Sequence, residues 1–303
     1  MQFPPHSLIL EAIEEKSVTN DEFLALLRAQ AAKFAEAVST KEGEWIVKGF
    51  IDIYKKIYTV SVDTKIISKV LELLLFPLFV EFGKANGLKI ELSPQQNFYP
   101  DLTFIDSSGH KFAVDIKSTY RISDTDVNGM TLGAFTGYFR NRTSSKNTLY
   151  PYGEYSGHFV LGVIYSKCDN VADERLVFTI ENLAKIPSVV KNFSFFVQPK
   201  FKIASTRPGS GNTKNTGSVV KIEQLLKGSG PFSLLGEEVY DDYWMFYLTK
   251  DMAKALETPR PYTDMKTYIA YKRKAVATLT PETEEIATAE DQEGSDSHGG
   301  EEG

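Results

Sequence analysis

Cysteine is almost absent from this chain: Cys168 is the single one in 303 residues. That excludes an internal disulfide and fits a reducing compartment, so a cytoplasmic location is expected. Histidine is scarce too. His6, His110, His158 and His298 are scattered, and with one cysteine they give no zinc-ligand spacing. No Ser-His-Asp arrangement stands out, and His158, leading an apolar run, reads as a core residue. Met1 to His6 lacks a basic region followed by an apolar run, so no signal peptide is expected. The most apolar stretch, 70–80, contains Glu72 and Pro77 and is too short to span a bilayer, which points to a soluble protein.

A surplus of positive charge is also missing, since the net charge is −6. The deficit lies at the end of the chain. Residues 281–303 carry nine acidic side chains and no Lys or Arg, leaving residues 1–280 with 34 basic against 31 acidic groups. Any affinity for nucleic acid therefore depends on where the basic groups sit. From about 277 the chain is acidic and poor in aromatics, so disorder is expected there. The remainder, in a chain 42% hydrophobic and 24% charged, suffices for a sizeable core in one large or two small domains.

Chemistry concentrates in Tyr99-Pro100-Asp101 and Val114-Asp115-Ile116-Lys117. The second alternates like a strand, with Phe112, Val114 and Ile116 facing one way and Ala113, Asp115 and Lys117 the other. Asp101 opens the preceding apolar run, 102–105. Asp106-Ser107-Ser108-Gly109 reads as the turn that joins the two runs in a hairpin. The mouth of that hairpin brings Asp101 close to Asp115, so two carboxylates and one ammonium share a small site. Mg²⁺ takes hard oxygen ligands, and two carboxylates with waters and a phosphate oxygen complete its shell. The metal polarises a phosphate and lowers the pKa of a bound water. A lysine beside them can hold that water or offset charge developing on phosphorus. Taken alone, the same spacing also fits a solvated hairpin edge.

Helices are expected over 6–16 and 20–38, the second capped by Asn20, with no evident chemistry; this segment is either an appendage to the core or part of a dimer contact. Strand-like runs cover Trp45 to Tyr54 and Ile57 to Val60. Asp63 can cap a long helix that stops at Gly87, with Pro77 kinking or splitting it. Lys65, Ser68 and Glu72 form a polar stripe on that helix, which as a pattern also fits an ordinary solvated face. Residues 120–133 read as polar and flexible, 134–142 as a short helix ending in Arg140, Asn141 and Arg142, and 158–166 as a buried strand. Further strand is expected over 193–205. Helices are expected over 236–256, whose aromatics Tyr240, Tyr243, Trp244, Phe246 and Tyr247 suit packing better than base stacking, and over 263–273.

Gly209-Ser210-Gly211-Asn212-Thr213-Lys214-Asn215-Thr216-Gly217-Ser218 is a polar loop between apolar runs. It lacks the Gly-Lys-Ser/Thr of a phosphate-binding loop. It fits either a flexible hairpin or a base-reading loop, in which glycines allow close backbone approach, Asn can pair with adenine and a Thr methyl can touch thymine.

Together these patches resemble one family, the type II restriction endonucleases of the PD-(D/E)-x-K nuclease fold. The stretches that carry the resemblance keep order and rough spacing. They are Asp63-Thr64-Lys65 leading to Glu72, Gln95-Gln96-Asn97 before Tyr99-Pro100-Asp101, Val114 to Lys117 with Thr119-Tyr120, Thr131-Leu132-Gly133 through Arg140-Asn141, Tyr150-Pro151, the Gly209 to Ser218 loop, and Asp242-Tyr243-Trp244. The resemblance covers about residues 44–250. It implies an α/β fold with a mixed central β-sheet flanked by helices, and Mg²⁺-dependent cutting of double-stranded DNA at a palindromic site. It further implies Asp101 and Asp115 as metal-binding carboxylates, Lys117 as the catalytic lysine, and Glu72 as an auxiliary acid near a second metal position. Gly209, Ser210, Gly211, Asn212, Thr213, Lys214 and Asn215 would form the recognition loop, and Gln96 and Asn97 a minor-groove loop. Thr64, Lys65, Ser68, Thr119 and Arg140 would be further DNA contacts. The family works as a homodimer, each subunit reading one half-site, in bacterial cytoplasm beside a cognate DNA methyltransferase. Blunt cutting at GATATC, at a TA step that unstacks easily, is the implied specificity. On this basis the chain divides into an N-terminal helical extension (1–42), a catalytic and DNA-binding domain (43–276, with dimerisation strands at 43–62) and the acidic tail (277–303). Lys214 and Phe98 depart from the family pattern, which has threonine and histidine there. Two rivals stand beside this reading: a repair or recombination nuclease with little sequence preference, and a non-catalytic DNA-binding module. The Gly-Ser-Gly-Asn-Thr loop argues against the first, and the intact Asp101, Asp115 and Lys117 against the second.

Overall fold

In the computed structural model, which describes residues 17–95, 97–209 and 214–275, the chain begins with two short helices, α1 (Asn20–Arg28) and α2 (Ala31–Val38). Thr19, rather than Asn20, caps α1. Its hydroxyl accepts from the Glu22 N–H while Glu22 reaches back to the Thr19 N–H, a reciprocal capping box. Asn20 instead donates its side-chain amide to the Ser156 carbonyl at 2.6 Å. The expected helix over 20–38 breaks at Ala29 and Gln30. Its apolar positions are nonetheless core: Phe23, Leu27, Phe34 and Val38 are fully buried. Phe23 stacks on Phe112 with ring centroids 4.4 Å apart. The two helices are thus packed into the main core. Residues 6–16 and the tail from 277 lie outside the described residues.

Strands β1 (Gly49–Ile51) and β2 (Lys56–Thr59) follow, much shorter than the apolar run suggested. Trp45 makes only an isolated bridge to Ser39, and its ring is wholly buried. Helix α3 (Thr64–Ala85) is capped by the Asp63 carboxylate, which accepts from the Lys65 and Ile66 N–H groups, and the chain leaves it through Gly87 at φ +66°. Pro77 does not split it.

A five-stranded sheet holds the middle of the molecule: β3 (Lys89–Leu92), β4 (Leu102–Ile105), β5 (Lys111–Tyr120), β7 (Tyr155–Lys167) and β9 (Val190–Pro199), in that spatial order. The intervening β6 (Thr131–Ala134) and β8 (Val177–Thr179) belong to smaller sheets. The β5–β7 pair is parallel and the other neighbours antiparallel, so the sheet is mixed. Phe112, Val114 and Ile116 of β5 pack with α1, α2 and α3 on one face. Ala113 packs on the other, with Val160, Ile164 and the C-terminal helices. The alternation read from the sequence is therefore the alternation of two cores.

After β9 come α4 (Lys200–Ile203), β10 (Ala204–Pro208), β11 (Asn215–Ser218), α5 (Ile222–Lys227), α6 (Glu237–Phe246), α7 (Lys250–Ala255) and α8 (Met265–Ala275). The helical stretch expected over 236–256 is two helices, because Thr249 caps a new start by accepting from the Met252 N–H. Tyr240, Tyr243, Trp244 and Tyr247 are core, whereas Phe246 is exposed. Strands β10, β11 and β6 form one small sheet and β1, β2 and β8 another. The helix expected over 134–142 is a series of turns. Gly133 and Gly137 adopt φ +103° and +60°, and Phe135 and Phe139 reach the core from turns, imitating a helical i, i+4 spacing. The stretch 120–133 is anchored rather than loose: Val127 and Leu132 are buried and Asp126 pairs with Lys221 at 3.1 Å. Among the described residues no helix is long and apolar enough to cross a membrane.

Candidate active site

The β4–β5 register aligns Leu102 with Val114, which sets Asp101 opposite Asp115 at the hairpin mouth. The Ile116 N–H donates to Asp101 Oδ2 at 2.8 Å, and the Asp101 N–H lies 3.4 Å from Asp115 Oδ1. Lys117 Nζ lies 3.4 Å from Asp115 Oδ2 and 3.8 Å from Asp101 Oδ2. The expected trio is therefore assembled, with the β4–β5 pairing aligning the segment that carries Asp101 against Asp115. Asp115 is buried, and Asp101 and Lys117 are partly exposed.

Burial pushes the Asp101 carboxyl up to about 6, with Lys117 opposing and Asp115 reinforcing the rise. For Lys117 burial acts downward, but Asp115 and Asp101 overcome it and raise the ammonium well above its ordinary value. Lys117 stays charged, its ammonium held against the two carboxyl groups. Among the described residues no group of three or more His, Cys, Asp or Glu side chains could hold a metal ion unaided. Mg²⁺ is commonly held by one or two carboxylates, with water and phosphate oxygens completing its shell. Asp101 and Asp115 fit it.

Glu72 comes from the other side. It projects from α3, pairs with Lys69 at 2.7 Å, and shares with Asp101 a cleft of about 480 Å³ whose walls include Leu73, Phe76, Phe98 and Ile116. Its charge adds to the rise at Asp101. Asp115 and Lys117 alternate to the opposite face of β5, so Glu72 is a neighbour of Asp101 rather than a member of the trio. A second cleft, of about 340 Å³, gathers Thr64, Lys65, Ser68, Glu72 and Thr119 from two separate stretches. Ser68 and Ser118 hydroxyls meet there at 2.6 Å. Lys69, Ser118, Asn128 and Gly129 line it too. No sequence motif singles out Ser118 or Asn128, although the polar end of β5 beside Lys117 is a visible signal. Thr119 is buried, and its hydroxyl donates to the Asn128 carbonyl.

The remaining candidates divide. Asn97 is exposed beside Phe98, and Gln96 lies outside the described residues. Gly209 and Asn215 close the base of the polar loop, the Gly209 N–H donating to the Asn215 carbonyl at 2.9 Å. Exposed Lys214 begins the return, its carbonyl accepting from the Phe135 N–H at 3.0 Å. Ser210, Gly211, Asn212 and Thr213 lie outside the described residues. Arg140 is turned inward: its guanidinium donates to the Tyr247 carbonyl and sits 5.8 Å from the Phe135 ring.

A family model described as "Restriction endonuclease EcoRV" matches residues 41–273. This chain belongs to the EcoRV family of restriction endonucleases. The Type II restriction enzyme EcoRV of Escherichia coli is 34% identical over 214 residues, spanning 70% of this chain and 86% of that one. The solved NlaIV restriction endonuclease is similar over 85% of this chain and 97% of its own, at 10% identity and a TM-score of 0.38, a likeness too loose to argue from. As an EcoRV-family member the chain has the restriction-endonuclease fold, seen here as a mixed sheet between helices. It is a type II site-specific deoxyribonuclease, a DNA-binding hydrolase.

Proposed function

We propose that this enzyme is a homodimer that uses Mg²⁺ to cut double-stranded DNA bluntly at GATATC, leaving 5′-phosphate and 3′-hydroxyl ends. The observation that carries the chemistry is the trio at the hairpin mouth. Asp101 and Asp115 hold the ion, which when bound supplies Lewis acidity toward the scissile phosphate. The Ile116 N–H keeps one Asp101 oxygen oriented. Lys117, held cationic by both carboxylates, offsets charge that develops on the phosphate. Glu72 serves as an auxiliary acid from the α3 side. Thr64, Lys65, Ser68 and Thr119 line a cleft suited to a phosphate backbone, with Lys65 exposed at its rim.

Specificity is assigned to the loop from Gly209 to Asn215 in the major groove, with Gln96 and Asn97 on the minor-groove side. GATATC follows from that loop's Gly-Ser-Gly-Asn-Thr and from the relationship to EcoRV. Support for the dimer is an apolar face on the β1–β2–β8 sheet, where the cross-strand neighbours Phe50, Tyr58 and Val177 are 51%, 44% and 52% exposed; Ile51, on the other face, is 59% exposed, and Ile53 and Tyr54 in the connecting turn more so. The enzyme would act in bacterial cytoplasm, with a methyltransferase protecting the host's own sites.

Digesting a plasmid of known sequence with Mg²⁺ and with EDTA, then mapping the ends, tests this. Blunt fragments at GATATC seen only with Mg²⁺ are expected. Discrete fragments elsewhere, with GATATC intact, would overturn the specificity and direct attention to Lys214.

A further inference from the structure

Lys200 opens α4 immediately after β9 and is only 3% exposed. An ammonium removed from water costs free energy unless its charge is taken up. What takes it up here is aromatic: Nζ lies 4.0 Å over the Tyr99 ring and 5.6 Å from that of Tyr152. It also lies 3.7 Å from the point where a side chain on Gly133 would begin, with the Tyr138 hydroxyl 3.3 Å from the same point. The charged groups around it are Asp115 and Lys117 from β5 and Glu237 and Asp241 from α6, with the buried His158 of β7 close by. Burial pulls the Lys200 ammonium down to about 8, against the pull of Asp115. The same burial pushes Glu237 up to about 7.

The ring that Lys200 covers belongs to the residue two before Asp101, and that residue is held from every side. The Tyr99 hydroxyl meets His158 Nδ1 at 2.7 Å, and its N–H donates to the Asn147 carbonyl at 3.0 Å. Its carbonyl accepts from the Leu149 N–H and the Thr148 hydroxyl, both at 2.9 Å. Lys200 is the charged member of this clamp, and it lies close enough to the trio to feel Asp115.

We propose that Lys200 is a positioning residue for DNA cleavage: its buried charge, gripping the Tyr99 ring, fixes the segment that presents Asp101 and supplies positive potential behind the carboxylate pair without touching DNA. This rests on the reading of Asp101 and Asp115 as the carboxylates of Mg²⁺-dependent cleavage. A lysine retained only as filler would be matched by an apolar side chain of similar length. A buried charge held by ring faces is a stability cost that function explains.

The test compares wild type, Lys200→Met and Lys200→Arg by thermal unfolding, by affinity for a GATATC duplex in EDTA, and by single-turnover cleavage with Mg²⁺. Lys200→Met is expected to unfold at the same or a higher temperature and to bind the duplex as wild type does. It should cleave about tenfold to a hundredfold more slowly, the scale of a sub-ångström misplacement, while Lys200→Arg recovers at least part of the rate. Full-rate cleavage by Lys200→Met overturns the inference. So does a loss of rate that tracks a lower unfolding temperature, or a Met variant that fails to fold, since either makes Lys200 a structural residue. If wild type itself does not cleave with Mg²⁺, the underlying assignment of the trio has failed instead.

Discussion

Asp101 and Asp115 face each other across a two-strand register, each tied into the other's backbone: the Ile116 N–H holds Asp101 Oδ2, and the Asp101 N–H points at Asp115 Oδ1. A site built this way survives loss of one side chain, because the strand ladder that creates it is untouched. Asp115→Ala should therefore fold, with an unchanged circular dichroism spectrum, and lose cleavage by about a thousandfold or more, comparable to deleting a major electrostatic contributor. Undiminished Mg²⁺-dependent cutting by that variant would remove Asp115 from the chemistry.

The raised Asp101 carboxyl gives a pH dependence of definite sign. Its value of about 6 exceeds the ordinary 3.8, so the folded state binds this proton more tightly than the unfolded one. The charged form is a stability cost above pH 6, and the cost vanishes as pH falls through the ordinary value. Asp101→Asn should therefore stabilise the protein by about 1–2 kcal/mol at pH 7.5, after allowance for the lost Lys117 contact, with the gain fading between pH 6 and 4. Urea unfolding at three pH values measures it. In wild type, protons compete with the cation, so the Mg²⁺ concentration needed for half-maximal cleavage should climb below pH 6.

The hairpin that brings Asp101 to Asp115 was legible in the sequence because period-two alternation and a turn signal act over about fifteen residues, and register then follows. The α3 cap at Asp63 was legible for the same reason, being a local hydrogen bond. What escaped was settled by distant partners. Phe135 and Phe139 have helical spacing, yet Gly133 and Gly137 at positive φ make the segment a chain of turns. The resemblance places Arg140 among the DNA contacts, and nothing in the sequence shows that its guanidinium donates to the carbonyl of Tyr247, more than a hundred residues on. Lys200 is an ordinary lysine in the sequence, and only the approach of Tyr99, from the segment before β4, reveals the aromatic setting of its buried charge.

Phe23 tests how far the N-terminal helices belong to the core. Its ring contacts those of Phe82, Phe104, Phe112 and Phe159, which join α3 and three strands of the central sheet. Phe23→Ala should cost about 3–5 kcal/mol, the range for emptying a buried aromatic site. A denaturant midpoint within error of wild type would mean that these helices are dispensable to the fold.

Arg140 and Lys65 make a contrasting pair. Arg140 is occupied inside the protein, whereas Lys65 lies exposed at the rim of the α3 cleft. Arg140→Ala should lower stability by about 1.5–3 kcal/mol, as for loss of a charged hydrogen bond. It should leave the salt dependence of DNA binding as it was. Lys65→Ala should do the reverse, leaving stability intact and reducing the slope of log affinity against log salt by about 1. Binding titrations at four salt concentrations separate the two.

The β1–β2–β8 sheet carries the proposed dimer. Ile53 is 88% exposed and Tyr54 76%, at the tip of a strand pair with Phe50 and Ile51 beside them. An apolar cluster of this kind is stabilised only by a covering partner, and a two-fold symmetric contact would cover it with the same residues from a second copy. Burying an isoleucine contributes about 1.5–3 kcal/mol, and placing a carboxylate there instead adds a desolvation cost. Ile53→Glu should therefore weaken association at least tenfold, detectable by sedimentation velocity across a dilution series. With one cutting site per subunit, as proposed, the dissociated variant should lose double-strand cleavage while the monomer keeps its fold. A variant that remains dimeric at the same dilution would place the interface elsewhere on the molecule.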